Sequence, residues 1–362
     1  MNEETKIQFY LDSKSTWEAL FRACEEATQS IDFERYIFVL DEVGQRFINV
    51  FRRKAKEGVR VRILCDMVGS FGFYLSGVPR NLRSHGIEVR FFNPVSPWRI
   101  NSIFSNFFRD HRKLTVVDER VGFVGGVGID GKTQNWRDTE VRFENELATE
   151  LGRSFEWMWD NTASLVVSSV PMRSRKTDFY MKEYELLTNA PRFGKRFIRR
   201  SLIAAIRNAK KYIYLTTPYF IPDLKFFRVL RLAARRGVDV RLLVPKSSDY
   251  PFIDSSTQSY FTLALQAGIK IYQYEGRLLH AKTAVIDDEW GTVGTMNLDN
   301  LSFYFNYEIN VVSSNRDFIW NVKKHFFEDL KSASHVLTEE WIRRPLWHKI
   351  QEIITWPFHK FF

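Results

Sequence analysis

One pattern occurs twice in this 362-residue chain and limits its fold more than any other feature. His111-Arg112-Lys113-Leu114-Thr115-Val116-Val117-Asp118 and His280-Ala281-Lys282-Thr283-Ala284-Val285-Ile286-Asp287 share a histidine, a lysine two residues on and an aspartate seven residues on. The chain holds seven histidines, and at average Lys and Asp frequencies chance supplies about 0.03 such matches. The same order of other signals precedes each copy. Residues 58–64 and 237–243 follow basic helical stretches and carry the apolar run of a buried strand, and residues 86–90 and 268–272 repeat a glycine turn followed by a strand. Helical stretches such as 46–56 and 224–236 alternate with these strands. The fold class is therefore α/β: two α/β sandwich halves related by a pseudo-twofold axis, sharing one active site.

The halves are expected at 1–165 and 186–340, with a Ser-, Pro-, Arg- and Lys-bearing linker at 166–185 and a distinct segment at 341–362. A 44% hydrophobic content, with 32 Phe, supplies two cores and excludes global disorder. Cys24 and Cys65 are too few for a disulfide framework, which points to a reducing compartment. The polar start Met1-Asn2-Glu3-Glu4-Thr5-Lys6 is unlike a secretory signal, and no run of about 18 apolar residues offers a membrane span. Net charge is +10, so the partner is expected to be anionic.

Strand geometry assigns the chemistry. Residues i and i+2 of an extended chain share a face, so His111 projects with Lys113 and His280 with Lys282, while Asp118 and Asp287 point away and are expected to brace the site through salt bridges. Two imidazoles and two ammonium groups brought together suit a phosphate diester. They repel a divalent cation, and neither a metal nor another cofactor is expected. Gly125, Gly126, Gly294 and Thr295 are small enough to let backbone approach a phosphate, and Asn297 adds an amide donor. Glu140 and Glu308 follow the two histidines by 29 and 28 residues, and each is expected to accept a hydrogen bond from the far ring nitrogen of the histidine in its own half.

At these residues the chain resembles the phospholipase D superfamily and, within it, the bacterial cardiolipin synthases. Asn106-Phe107-Phe108-Arg109-Asp110-His111-Arg112-Lys113, Phe123-Val124-Gly125-Gly126, Trp136-Arg137-Asp138-Thr139, Thr217-Pro218-Tyr219-Phe220-Ile221-Pro222-Asp223, Leu279-His280-Ala281-Lys282 and Asn297-Leu298-Asp299 carry the resemblance, which runs from Tyr36 to Trp347. Two positions depart from it: Gly128 replaces the usual Asn, and Glu140 the usual His. The form resembled is the shorter one, without N-terminal membrane-spanning helices.

The resemblance implies a phosphatidyltransferase that joins two phosphatidylglycerol molecules into cardiolipin and glycerol through a phosphohistidine. Hydrolysis to phosphatidic acid, or nuclease activity of the same superfamily, are the alternatives. It also implies His111 as nucleophile and His280 as acid/base; repeat symmetry alone does not choose. Lys113, Lys282 and Asn297 are expected to stabilise the non-bridging oxygens.

Phosphatidylglycerol and other anionic phospholipids are the expected partners, at the cytoplasmic face of the membrane, and nucleic acid is not. Phe104, Phe107 and Phe108 are candidates to line an acyl-chain entry. In the last segment, apolar positions recur at helical spacing among Arg343, Arg344, Lys349 and Lys360. Trp341, Trp347, Ile350, Ile354, Trp356 and Phe358 are expected to meet the bilayer surface.

Overall fold

A computed structural model describes residues 6–94, 106–163, 183–345 and 347. The duplicated pattern resolves into two sheets of matching topology. The first is built from β1 (Ile7–Tyr10), β2 (Ser30–Arg35), β3 (Arg60–Asp66), β4 (Glu88–Phe92), β6 (Leu114–Val117), β7 (Val121–Gly125) and β8 (Glu140–Glu144), in the order β1-β8-β7-β6-β2-β3-β4; the short β5 (Arg109–Asp110) belongs elsewhere. Strands β2, β3 and β4 run parallel, as the intervening helices require, and the remaining neighbours pair antiparallel, β6 and β7 through a tight turn.

The second sheet repeats this plan. Its strands are β9 (Tyr184–Ala190), β10 (Lys195–Arg196), β11 (Tyr212–Thr216), β13 (Asp239–Pro245), β14 (Lys270–Tyr274), β15 (Thr283–Ile286), β16 (Trp290–Gly294), β18 (Asn306–Ser313) and β19 (Ala333–His335), in the order β10-β9-β18-β16-β15-β11-β13-β14-β19. A two-stranded ribbon of β12 (Phe220–Ile221) and β17 (Leu298–Asp299) lies apart from both. The expected linker lies almost wholly outside the described residues; β9 opens at Tyr184 and pairs along its length with β18.

The glycines that open the repeated strand signals show why the two halves fold alike. Gly58, Gly86, Gly237 and Gly268 have φ of 89°, 79°, 91° and 87°, the left-handed conformation that ends a helix and turns the chain into the next strand. The helices Ser13–Glu26 and Glu42–Lys56 bury Trp17, Leu20, Phe47 and Phe51 on one face of the first sheet. Phe197–Asn208 and Leu224–Arg235 bury Ile198, Leu202, Phe226 and Leu230 on the corresponding face of the second.

A third cluster belongs to both halves. It joins Leu114, Val124 and Phe155 to Val285, Val293, Ile309 and Phe318, so that the sheets share a core, with Glu146–Ala163 and Arg316–Leu330 packed within it. This shared core fixes the sheets against each other and the strand ends at one site.

No described helix is long and apolar enough to cross a membrane. Among the residues expected at a bilayer, Ile350, Ile354, Trp356 and Phe358 lie outside the described residues, and Trp347 is exposed. Trp341 corrects the expectation: its indole Nε1 donates to Thr262 Oγ1 at 3.1 Å and its ring packs 5.1 Å from Phe261 against the core of the second half.

Candidate active site

Each repeated motif reaches the site as a short extended segment just ahead of a strand, His111–Lys113 before β6 and His280–Lys282 before β15. Both segments are held by the opposite half. Strand β5 pairs in parallel with the start of β18, and His111 N donates to Tyr307 O at 3.1 Å. Correspondingly, Arg137 N donates to Leu278 O and His280 N to Arg137 O, both at 2.8 Å.

These crossings deliver a carboxylate from each half to the histidine of the other. His111 Nδ1 lies 3.0 Å and 3.1 Å from the two oxygens of Glu308, and His280 Nδ1 lies 2.6 Å from Asp138 Oδ2. Lys282 Nζ is also 2.8 Å from His280 Nδ1, but an ammonium only donates and Asp138 only accepts, so the nitrogen serves one at a time. With Asp138 engaged, Nδ1 of both rings carries the proton and Nε2 keeps its lone pair. No described residue hydrogen-bonds either Nε2.

The expected pairing within each half is thus corrected. Glu308 serves His111, and Asp138, two residues before Glu140, serves His280. Spacing alone could not separate Asp138 from Glu140, since both fall within two residues of the offset of Glu308. Strand register separates them: Gly125 pairs with Glu140 and Gly294 with Asn310, so Glu140 is the counterpart of Asn310, and Asp138 that of Glu308.

The small residues also have a different role from the one expected. A Cβ on Gly126 would stand 2.1 Å from Asp138 Oδ1, one on Gly125 2.4 Å from Glu140 Oε2, and one on Gly294 2.4 Å from Asn310. They make room for the side chains of the adjoining strand, and Thr295 Oγ1 donates to Glu308 Oε2. Among the described residues, Asp118 and Asp287 form no salt bridge. Asp118 accepts from the backbone N–H groups of Thr28, Gln29 and Ser30, and Asp287 from those of Lys210, Lys211 and Tyr212, tying each turn to the entry of the neighbouring strand.

Lys113 and Lys282 are 1% and 2% exposed and close enough to affect each other. Burial and Lys282 together push Lys113 down to about 7. Burial presses His111 down to about 4 against the pull of Glu308, and burial with Lys282 lowers His280. For Asp138, burial is outweighed by Lys282 and His280, and the carboxyl moves down. The pocket therefore pairs two neutral imidazoles with buried cations and carboxylates, and an entering phosphate anion favours protonation of both lysines and of one imidazole.

Asn297 is buried with no hydrogen-bond partner for Oδ1 among the described residues. Its counterpart Gly128 has no side chain to offer, and its carbonyl accepts from Trp17 Nε1 at 2.9 Å. Phe107 is exposed, and Phe107 and Phe108 approach Phe305 at 6.3 and 6.2 Å; Phe104 lies outside the described residues. Three aromatic rings that carried no assigned role border the histidines. Tyr36 stands 5.0 Å from His111, and Trp136 and Tyr219 stand 5.2 and 6.4 Å from His280.

Glu140 is wholly buried, and burial raises its carboxyl to about 8 with Arg35 opposing. It takes the place of an amide: Val127 N donates to it at 3.4 Å, as Met296 N donates to Asn310 Oδ1 at 3.3 Å. The folded chain keeps a proton there from about pH 4.3 to about 8, so the stabilisation is complete below pH 4.3 and is lost as pH rises through 8. The difference in melting temperature between wild type and Glu140→Gln is expected to fall steadily from pH 5 to 8 and level off above. A difference independent of pH would show that Glu140 does not titrate in that range.

A duplicated α/β fold with paired His/Lys segments meeting at one site defines a phospholipase D-like protein. The chain belongs to the family described as "Cardiolipin synthase, PLD-like domain", whose model matches residues 20–159 and 202–330. A cardiolipin synthase of Geobacillus kaustophilus is 35% identical over 95% of this chain and 70% of its own length, and one of Clostridium perfringens 33% identical over 98% and 76%. In fold, the chain is similar to the phosphatidylserine synthase of Haemophilus influenzae (TM-score 0.71, 12% identity, 91% of this chain and 87% of that one).

Proposed function

We propose that this protein is a phosphatidyltransferase that joins two phosphatidylglycerol molecules into cardiolipin and glycerol. The observation that carries the reading is the crossed histidine–carboxylate pairing, which leaves two Nε2 atoms available beside two buried lysines. His111 Nε2 attacks phosphorus, the bond from phosphorus to the glycerol oxygen breaks, and His280 supplies the proton to that oxygen. A hydroxyl of the second phosphatidylglycerol then gives its proton to His280 and attacks phosphorus, and the P–N bond breaks. Lys113, Lys282 and the Asn297 amide bear the charge on the non-bridging oxygens in both transition states. The cardiolipin synthases among the relatives support this choice of substrate.

Peripheral contact with a phospholipid surface belongs to the same proposal. It is supported by exposed Val68, Phe71 and Leu75, on the segment after β3 that packs beneath Tyr36. The test is product analysis from labelled phosphatidylglycerol in vesicles, with His111→Ala as control. Cardiolipin and free glycerol in equal amounts are expected. Phosphatidic acid without cardiolipin would make the protein a hydrolase, and no product from lipid alongside cleavage of single-stranded DNA would make it a nuclease.

A further inference from the structure

The two sides of the site match in their catalytic groups and differ in what surrounds them. Because Phe38 bridges to Ile129 as Phe220 pairs with Leu298, Tyr219 occupies the place that Ile37 holds in the first half. Tyr219 OH donates to Asp249 Oδ1 at 2.6 Å, and its ring stands edge-on to His280. Asp249 is close enough to Lys282 to act on its charge, and no described residue donates to its second oxygen.

The corresponding segment of the first half has no such group. Asp66 and Pro245 end equivalent strands, so by count Ser70 matches Asp249. Ser70 is buried and its hydroxyl is committed to its own half, donating to Tyr36 O at 2.9 Å and accepting from Phe38 N at 3.0 Å. Its neighbours Val68 and Phe71 are 45% and 52% exposed and apolar. Tyr250 and Phe252, also exposed, follow Asp249 on the second side. Tyr36 sets a phenol beside His111 as Tyr219 does beside His280, and what distinguishes the His280 side is that its phenol donates to an open carboxylate.

We propose that Asp249, oriented by Tyr219, is a binding site for the free hydroxyls of a polyol alcohol, so that the glycerol group sits on the His280 side and the diacylglycerol group on the His111 side. The inference rests on the phosphatidyltransfer reading and deepens it. A carboxylate has acceptor capacity for two hydroxyls at once, and an alcohol with one hydroxyl, already engaged at phosphorus, leaves that capacity unused. A site that accepts from a substrate hydroxyl discriminates against an analogue that lacks it, because the half-buried Asp249 loses part of its water to the bound substrate and is then left short of a donor. The asymmetry also gives the histidines distinct roles: the ring beside the polyol site is the one that exchanges protons with the departing and arriving alcohol.

The experiment is a competition. Phosphatidylglycerol vesicles are incubated with enzyme and equimolar labelled glycerol and ethanol, and the ratio of labelled phosphatidylglycerol to phosphatidylethanol is read. Asp249→Asn is expected to lower that ratio by about tenfold, and Tyr219→Phe, which frees the carboxylate to rotate, by about threefold. If Asp249→Asn makes neither product, the Tyr219→Phe ratio decides. An unchanged ratio, whether both yields persist or fall together, overturns the polyol site. A wild-type protein that forms neither cardiolipin nor either alcohol product overturns the phosphatidyltransfer reading itself, and this inference with it; one that forms cardiolipin but uses neither alcohol overturns the polyol site alone.

Discussion

Glu308→Gln is expected to lower turnover by about a thousand- to ten-thousand-fold without unfolding the protein, although residue 308 lies 197 positions from the histidine it serves. Glutamate accepts from His111 Nδ1–H and so keeps the proton off Nε2, the atom placed to attack. An amide at the same place presents its N–H₂ group as well as its oxygen. Thr295 Oγ1 donates to Glu308 Oε2 and Thr295 is anchored on β18 through Ile309, so a glutamine that keeps its carbonyl toward Thr295 places its N–H₂ at the Oε1 position, 3.0 Å from the imidazole Nδ1. Nδ1 then becomes the acceptor, the proton moves to Nε2, and the lone pair needed for attack is lost. Asp138→Asn does the same to His280. Because each acid works only through its histidine, adding Glu308→Gln to His111→Ala should cause little further loss. Single-turnover phosphatidyl transfer, with circular dichroism to check the fold, measures both. Additive losses in the double variant would show that Glu308 acts independently of His111.

How much of this was legible in the sequence follows from what each signal depends on. The His/Lys pairs, the glycine turns and the apolar strands are local: spacing along one chain segment decides which face a side chain takes, and residues 58–64 or 237–243 needed nothing else. The matching intervals then made two similar sheets the natural outcome. The histidine partners are not local. Whether Glu140 or Asp138 meets a ring depends on strand register across Gly125 and Gly126, and whether Glu308 serves His280 or His111 depends on how the halves cross. The pseudo-twofold arrangement implied that the motifs meet, but it holds equally for crossed and uncrossed pairing. The contacts that decide, β5 with β18 and Arg137 with Leu279, involve two residues or fewer on each side and leave no periodicity to detect. The same limit applied at the margin: Trp341 has the composition of an interfacial residue, and only the position of Thr262 and Phe261 shows that it packs on its own domain.

Arg137→Met should destabilise the fold by about 3–5 kcal/mol, because it breaks a buried ion pair that joins the halves. Arg137 Nε and Nη2 each donate at 2.7 Å to an oxygen of Asp329, on the helix Arg316–Leu330 of the other half, and both side chains are buried. Its remaining nitrogen donates to Asp138 O at 2.6 Å and Thr139 Oγ1 at 3.0 Å, beside the carboxylate that orients His280. Methionine fills much of the volume but leaves Asp329 as a buried carboxylate that has lost both Arg137 hydrogen bonds and keeps the longer-range attraction of Arg277. Burial already raises the Asp329 carboxyl with Arg137 in place, and without that arginine it rises further. The neutral acid tolerates burial better than the anion, so the loss relative to wild type should shrink as pH falls from 7 to 5. Adding Asp329→Asn to Arg137→Met should recover a large part of the lost stability for the same reason. Denaturant unfolding at the two pH values measures both effects. A loss that is the same at pH 5 and pH 7, and untouched by the second substitution, would mean that the arginine acts through its packing and not through the buried charge it neutralises.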